Sequence, residues 1–167
     1  MRVFSLLVIS LILTSACKKV IEEEVTYDQA VYGINTQVVY SSSAEKTRQK
    51  TAVQYISIMY GDLFGARIPN NELNNLALLS TANGDKGMAN ELILSHYLND
   101  PDVELPTNAD MSANPESFVE QTYIRFYKRN PTPYEKIYFI NLIENDPALS
   151  VEVLYTAFIL SNEYYFY

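Results

Sequence analysis

Thr132-Pro133-Tyr134-Glu135-Lys136-Ile137-Tyr138-Phe139-Ile140-Asn141-Leu142-Ile143 is the stretch that decides the fold class. Thr132 followed three residues later by Glu135 is a capping box, in which a hydroxyl and a carboxylate satisfy orphan N–H groups at a helix start. Pro133 takes the first helical position, where a missing N–H costs nothing and φ is already helical. Ile137, Tyr138, Leu142 and Ile143 then recur at helical spacing up to the turn Asn145-Asp146-Pro147.

The same signals run outward in both directions. Upstream, Phe118 to Lys128 is periodic; downstream, Ser150 caps a helix through Val153, Leu154, Ala157, Phe158 and Leu160. Nearer the N-terminus, Ser42-x-x-Glu45 reads as a further capping box for a helix carrying Ala52, Ile56, Met59, Tyr60 and Leu63, stopped by Gly65. Asn70 to Leu79 and Met88 to Leu98 follow as helices, separated by the turn Asn83-Gly84-Asp85. The prediction is an all-α fold, a compact helical bundle.

Asn99 to Pro115 reads as a linker, with Pro101, Pro106 and Pro115 and no apolar period. It divides a first helical unit, residues 42–99, from a second, residues 116–167. Phe64, Arg67, Pro69, Leu92 and Leu98 lie 62 residues before Phe126, Arg129, Pro131, Leu154 and Leu160, whereas Glu72 and Glu135 lie 63 apart. That spacing predicts two similar three-helix units sharing a core, since one such unit alone buries too little apolar surface.

In each unit a helix bearing Phe or Tyr leads into Arg-x-Pro and then a helix with an early Glu. The residues are Arg67, Pro69 and Glu72, and Arg129, Pro131 and Glu135. This turn resembles one in DUF4214-type and phycobilisome-linker-like helical modules. The resemblance implies a structural or interaction domain and brings no catalytic residue with it.

The N-terminus carries an address. Met1-Arg2 is a basic start, Val3 to Leu13 an apolar run of 11 residues, and Thr14-Ser15-Ala16 a small-residue site before Cys17, the only cysteine. This order describes a secretory signal over residues 1–16, too short for a bilayer-spanning helix of about 20 residues. Small residues directly before a cysteine resemble the lipobox of bacterial lipoproteins, which implies that Cys17 is acylated with palmitate-type chains and opens the mature chain. The alternative is an ordinary cleaved signal and a free thiol. Lys18 and Lys19 ahead of Glu22, Glu23 and Glu24 resemble the surface-export signal of Bacteroidota lipoproteins, and the residue after the cysteine is not the Asp of inner-membrane retention. Residues 17–41 then form a tether or arm to an outer-membrane anchor, on either the periplasmic or the surface face.

With 12 basic and 20 acidic residues the chain has a net charge of −8, and losing Arg2 with the signal makes it −9. Such a surface opposes nucleic acid as a partner and leaves membrane attachment to the lipid anchor. Arg67 and Arg129 admit two readings, anion binding or satisfaction of helix-end carbonyls and nearby carboxylates. Glu72 and Glu135 sit at capping-box positions; a carboxylate-dependent hydrolase would need two of Glu72, Glu91, Glu135 and Glu152 in one cleft. His96 is the sole histidine, expected on a partly buried face, and forms no metal set or Ser-His-Asp arrangement. Asp100-x-Asp102-x-Glu104 starts like a calcium loop, yet Leu105 and Met111 stand where Gly and Glu are required. No catalytic residue, metal or cofactor is assigned.

Eight of the 14 tyrosines fall after residue 122. Tyr123/Tyr127 and Tyr134/Tyr138 are expected in the core, because they share helical stripes. Tyr164, Tyr165, Phe166 and Tyr167 are adjacent and point to different faces of any helix, so they form a candidate interaction patch, with back-packing onto the first unit as the alternative. The functional expectation is a lipid-anchored, non-catalytic helical adaptor or scaffold for another envelope protein. The alternatives are binding of a glycan or peptidoglycan fragment and, behind it, the hydrolase.

Overall fold

A computed structural model describes residues 39–167. The signal, Cys17 and the tether up to residue 38 lie outside the described residues. Among those described, seven α-helices and no extended strand occur: α1 (Ala52–Phe64), α2 (Asn70–Ala82), α3 (Lys86–Leu98), α4 (Asn108–Ala113), α5 (Pro115–Tyr127), α6 (Pro133–Asn145) and α7 (Val151–Ile159).

The first two helices of each unit keep a strict internal register, whereas the third pair, α3 and α7, differs in length and does not follow it. Every boundary of α5 and α6 lies 63 residues after its counterpart in α1 and α2. The buried set of α1, Tyr55, Ile56, Met59 and Leu63, maps under that shift onto Phe118, Val119, Thr122 and Phe126, all buried in α5. Likewise Ser80 and Ile143, the only buried residues of α2 and α6, correspond. Both first helices end on a left-handed residue, Gly65 (φ 60) and Lys128 (φ 55). The turns themselves are not equivalent. Pro69 is the N-cap residue of α2, whereas Pro131 precedes the N-cap Thr132 of α6, so the 62-residue alignment of the arginines is one residue out of helical register.

Within the first unit α1, α2 and α3 pack on one another; in the second, α5 packs on α6 and α7. One buried cluster runs through both units, from Ile56, Met59 and Leu63 to Tyr123, Phe126, Leu154 and Phe158. Burial of such side chains contributes roughly 1.5–3 kcal/mol each against the cost of ordering the chain.

Three local expectations need correction. Ser42 caps nothing: residues Ser43–Glu45 make only a 3-10 turn, because Glu45 accepts from the Ser41 amide and hydroxyl instead. Helix α1 starts nine residues later, from a capping box of Thr51 and Gln54. The stretch Asn99 to Pro115 is not a plain linker, since α4 sits in it, started by a Thr107–Asp110 box and anchored by buried Met111. Finally, Lys46 to Lys50 is extended and pairs with the chain's end. The Arg48 amide donates to the Tyr167 carbonyl (3.1 Å), the Tyr167 amide to the Arg48 carbonyl (2.9 Å), and the Lys50 amide to the Tyr165 carbonyl (2.8 Å).

Candidate functional site

The Arg-x-Pro arginines take different roles. Arg129 is buried; its Nε and Nη2 donate to Glu163 at 2.7 Å each, and Nη1 and Nη2 to Glu135 at 2.8 and 2.7 Å. Its guanidinium also lies 5.0 Å from the Tyr123 ring centre. Glu135 closes the capping box as well, accepting from the Thr132 amide at 2.7 Å, and Arg129 draws its carboxyl down to about 2. Nη1 also donates to the Asn130 carbonyl (3.1 Å), so every guanidinium N–H is taken, and Lys46 joins the network through Glu163 (3.1 Å); this is the chemistry of a structural clamp and leaves the arginine no donor for an anion. Arg67 is exposed and, among the described residues, reaches only Asn70 (3.3 Å). Glu72 closes no capping box, because its N-cap residue is Pro69, which has no hydroxyl to offer. The two glutamates thus sit in different helical pairs, with Glu135 engaged.

The candidate patch at the chain's end is corrected at its centre. Tyr164 is 0 % exposed: its ring meets Tyr55 and Phe126 edge-on at 5.4 and 6.1 Å, and its hydroxyl donates to Asp62 at 2.8 Å. Tyr165 stacks on Tyr55 at 4.8 Å, while Phe166 and Tyr167 are half-buried. The tail leaves α7 and turns through a short 3-10 helix, Glu163–Tyr165, becoming extended only at Phe166, and this change of direction carries the Tyr164 ring inside. Asp62 is also held by Lys128 (2.8 Å), and its own backbone carbonyl accepts from Arg125. Burial pushes the Asp62 carboxyl above its ordinary range, with Lys128 opposing. Lys50, whose ammonium lies 4.0 Å over the Tyr164 ring and donates to the Tyr164 carbonyl, is pushed down to about 8 by burial.

A half-open cleft of about 340 Å³ lies between α3 and α7. Glu91, Ser95 and Asn99 line one wall, Glu152 and Thr156 the other, with Leu94 and Leu98 as the apolar lining. It brings together Glu91 and Glu152, two of the four glutamates from which a hydrolase would need a pair. The Ser150 hydroxyl draws Glu152 below its ordinary range, the wrong direction for a general acid. His96 is exposed on α3, a correction to the half-buried position expected. Among the described residues no three His, Cys, Asp or Glu side chains are placed to hold a metal ion.

The least explained surface is on α6. Tyr134, Ile137 and Tyr138 are 79, 60 and 53 % exposed, so the expectation that Tyr134/Tyr138 pack in the core is overturned. Phe139, Ile140 and Ile143 take the core side instead. Under the 63-residue shift the outer positions correspond to Asn71, Asn74 and Asn75 of α2, all exposed. The fold therefore accepts asparagine on this face, and the second unit presents Tyr-Ile-Tyr there. A shallow notch of about 400 Å³, lined by Tyr138, Asn141, Leu142, Asn145 and Asp146, continues the stripe at the C-terminal end of α6. No family model matches this chain, and no curated protein or solved structure matches it.

Proposed function

We propose that this chain is a lipid-anchored envelope protein whose helical domain is a non-catalytic adaptor, docking another envelope protein on the outer face of α6. The observation that carries the reading is the exposed Tyr134-Ile137-Tyr138 stripe against asparagines at the matching positions of α2. Exposed aromatic residues on a rigid helix are the residue types enriched at protein interfaces. The lipobox-like Cys17 supports placement at the outer membrane. Covering three such side chains yields about 4 kcal/mol, which only reaches the low end of association costs of roughly 4–15 kcal/mol. The partner therefore needs a further anchor beyond the stripe.

Two measurements test this in cells. A photo-crosslinking residue at position 137 is expected to trap one discrete envelope protein, and the adduct is lost when Tyr134 and Tyr138 become asparagine. The same probe at Val53, exposed on α1, traps none. Equal labelling from both positions would sink the adaptor. Palmitate incorporation is expected in the wild-type chain and absent from Cys17→Ser, which also leaves the membrane fraction.

The cleft between α3 and α7 favours one second reading, capture of a glycan or peptidoglycan fragment. A disaccharide of N-acetylated sugars that shifts the NMR signals of Ser95 and Thr156, and none on α6, would replace the adaptor with this reading.

A further inference from the structure

We infer that the notch at the C-terminal end of α6 receives one long cationic side chain, arginine or lysine, presented by the partner protein that covers the tyrosine stripe. The inference rests on the adaptor reading and adds the chemistry of the partner's anchor.

The notch is negative from several independent sources. The last carbonyls of α6 have no amide to accept within the helix and carry the negative end of its dipole. Asp146 follows directly: its Oδ1 accepts from the Ala148 amide (2.9 Å), and its Oδ2 has no hydrogen-bond partner among the described residues. The Asn145 side-chain amide donates to the Asn141 carbonyl (2.7 Å), which leaves its oxygen available as an acceptor. The single cation of α6, Lys136, is engaged by Glu116 (3.2 Å) and Glu120 (2.5 Å) and supplies nothing to the notch.

The rest of the lining suits an aliphatic stem under a flat or compact cation. Leu142 contributes an apolar surface and the Tyr138 ring a face for cation–π contact. A guanidinium over Tyr138 can donate to Asp146 Oδ2 and to the Asn145 oxygen together, a charge-assisted arrangement. The first unit again serves as a control. The corresponding residues there are Asn75, Leu78, Leu79, Ala82 and Asn83, with neither ring nor carboxylate. The chemistry therefore belongs to the second unit and not to the architecture.

The test uses the full chain, isotope-labelled in detergent, titrated with N-acetyl-arginine methylamide and with its neutral isostere, N-acetyl-citrulline methylamide. Arginine is expected to move the amide signals of Tyr138, Asn141, Asn145 and Asp146, saturating at a concentration at least tenfold lower than citrulline. Asp146→Asn keeps the acceptor for the Ala148 amide, so the fold should persist with an unchanged melting midpoint. It is expected to reduce arginine binding to the citrulline level. Equal binding of the two probes, shifts confined to the α3/α7 cleft, or indifference to Asp146→Asn would overturn the inference. The outcomes separate from those of the adaptor reading: a crosslinked partner at position 137 with no arginine preference in the notch defeats only the cationic anchor. Arginine binding with no crosslinked partner defeats only the adaptor.

Discussion

Lys128 and Gly65 occupy the same place in the two units, yet only glycine adopts a φ near +60° without steric cost. Replacing Lys128 by glycine would relieve about 1 kcal/mol of left-handed strain. It would also remove the ammonium 2.8 Å from Asp62, a carboxylate whose side chain is almost wholly out of water. Breaking one side of a buried pair costs about 3–5 kcal/mol, and Tyr164 and Lys50 compensate for part of that here. The ion pair wins, so Lys128→Gly is expected to lose about 2 kcal/mol in urea unfolding, and a gain would show that strain dominates. The neighbouring Lys50 supplies a pH signature. Its folded pKa of about 8 is below the unfolded value of 10.5, so between those limits the unfolded chain holds a proton that the folded chain has released. The contribution of Lys50 to stability therefore rises as pH increases from about 8 toward 10. Buried tyrosines such as Tyr127, raised to about 12 from an unfolded value of 10, keep a proton that the unfolded chain loses, so they oppose the rise as pH approaches 10 and reverse it beyond. Lys50→Met is expected to flatten the rise between pH 8 and 10 in melts followed by circular dichroism; Lys46, also lowered by burial, leaves a smaller residual slope.

Helix α6 has apolar residues on two sides, and only one of them is core. Converting Tyr134, Ile137 and Tyr138 to asparagine, the residues found at the matching places in α2, is expected to change stability by no more than about 0.5 kcal/mol per site. Ile143→Ala, on the buried side, is expected to cost about 2–4 kcal/mol, and comparable losses for the two variants would mean that the outer face is packed. This two-sided pattern also explains what the sequence leaves illegible. Helical spacing groups Tyr134 with Tyr138 but does not say which stripe faces inward, so a stripe alone does not establish burial. The signal that discriminates them was one unit upstream, in Asn71, Asn74 and Asn75. Caps were legible where cap and period coincide, as at Thr132 and Ser150. Ser42 and Glu45 had the right spacing but no apolar period directly behind them, and the chain used that carboxylate for Ser41. Helix α4, six residues long, is under two turns and shows no period to read. Capping residues Thr107 and Asp110 were its only trace.

At the scale of the whole molecule, the extended segment Lys46–Lys50 and the residues from Glu163 to Tyr167 close the structure by holding each other. Tyr164 is the keystone of that closure, with its ring between Tyr55 of the first unit and Phe126 of the second and its hydroxyl on Asp62. The same tail carries Glu163, which joins Lys46 to Arg129. Deleting residues 164–167 removes a fully buried aromatic side chain, at about 3–5 kcal/mol. It also strips Asp62 of one hydrogen bond, at about 1–3 kcal/mol for a buried acceptor. Together these approach the whole stability of a typical domain, about 5–15 kcal/mol. The truncated chain is therefore expected to lose its cooperative transition in urea, with tyrosine fluorescence and far-ultraviolet dichroism no longer coincident. Removing Tyr167 alone gives up a half-buried ring 5.7 Å from the Arg48 guanidinium and two backbone hydrogen bonds at the edge of the pair. That smaller deletion should cost about 1 kcal/mol and keep a single transition. A four-residue deletion that still unfolded in one step near the wild-type midpoint would return the tail to the surface. The closure of the two units would then have to come from contacts outside the tail, such as Arg125 on the Asp62 carbonyl and the Tyr55 hydroxyl on the Ile159 carbonyl.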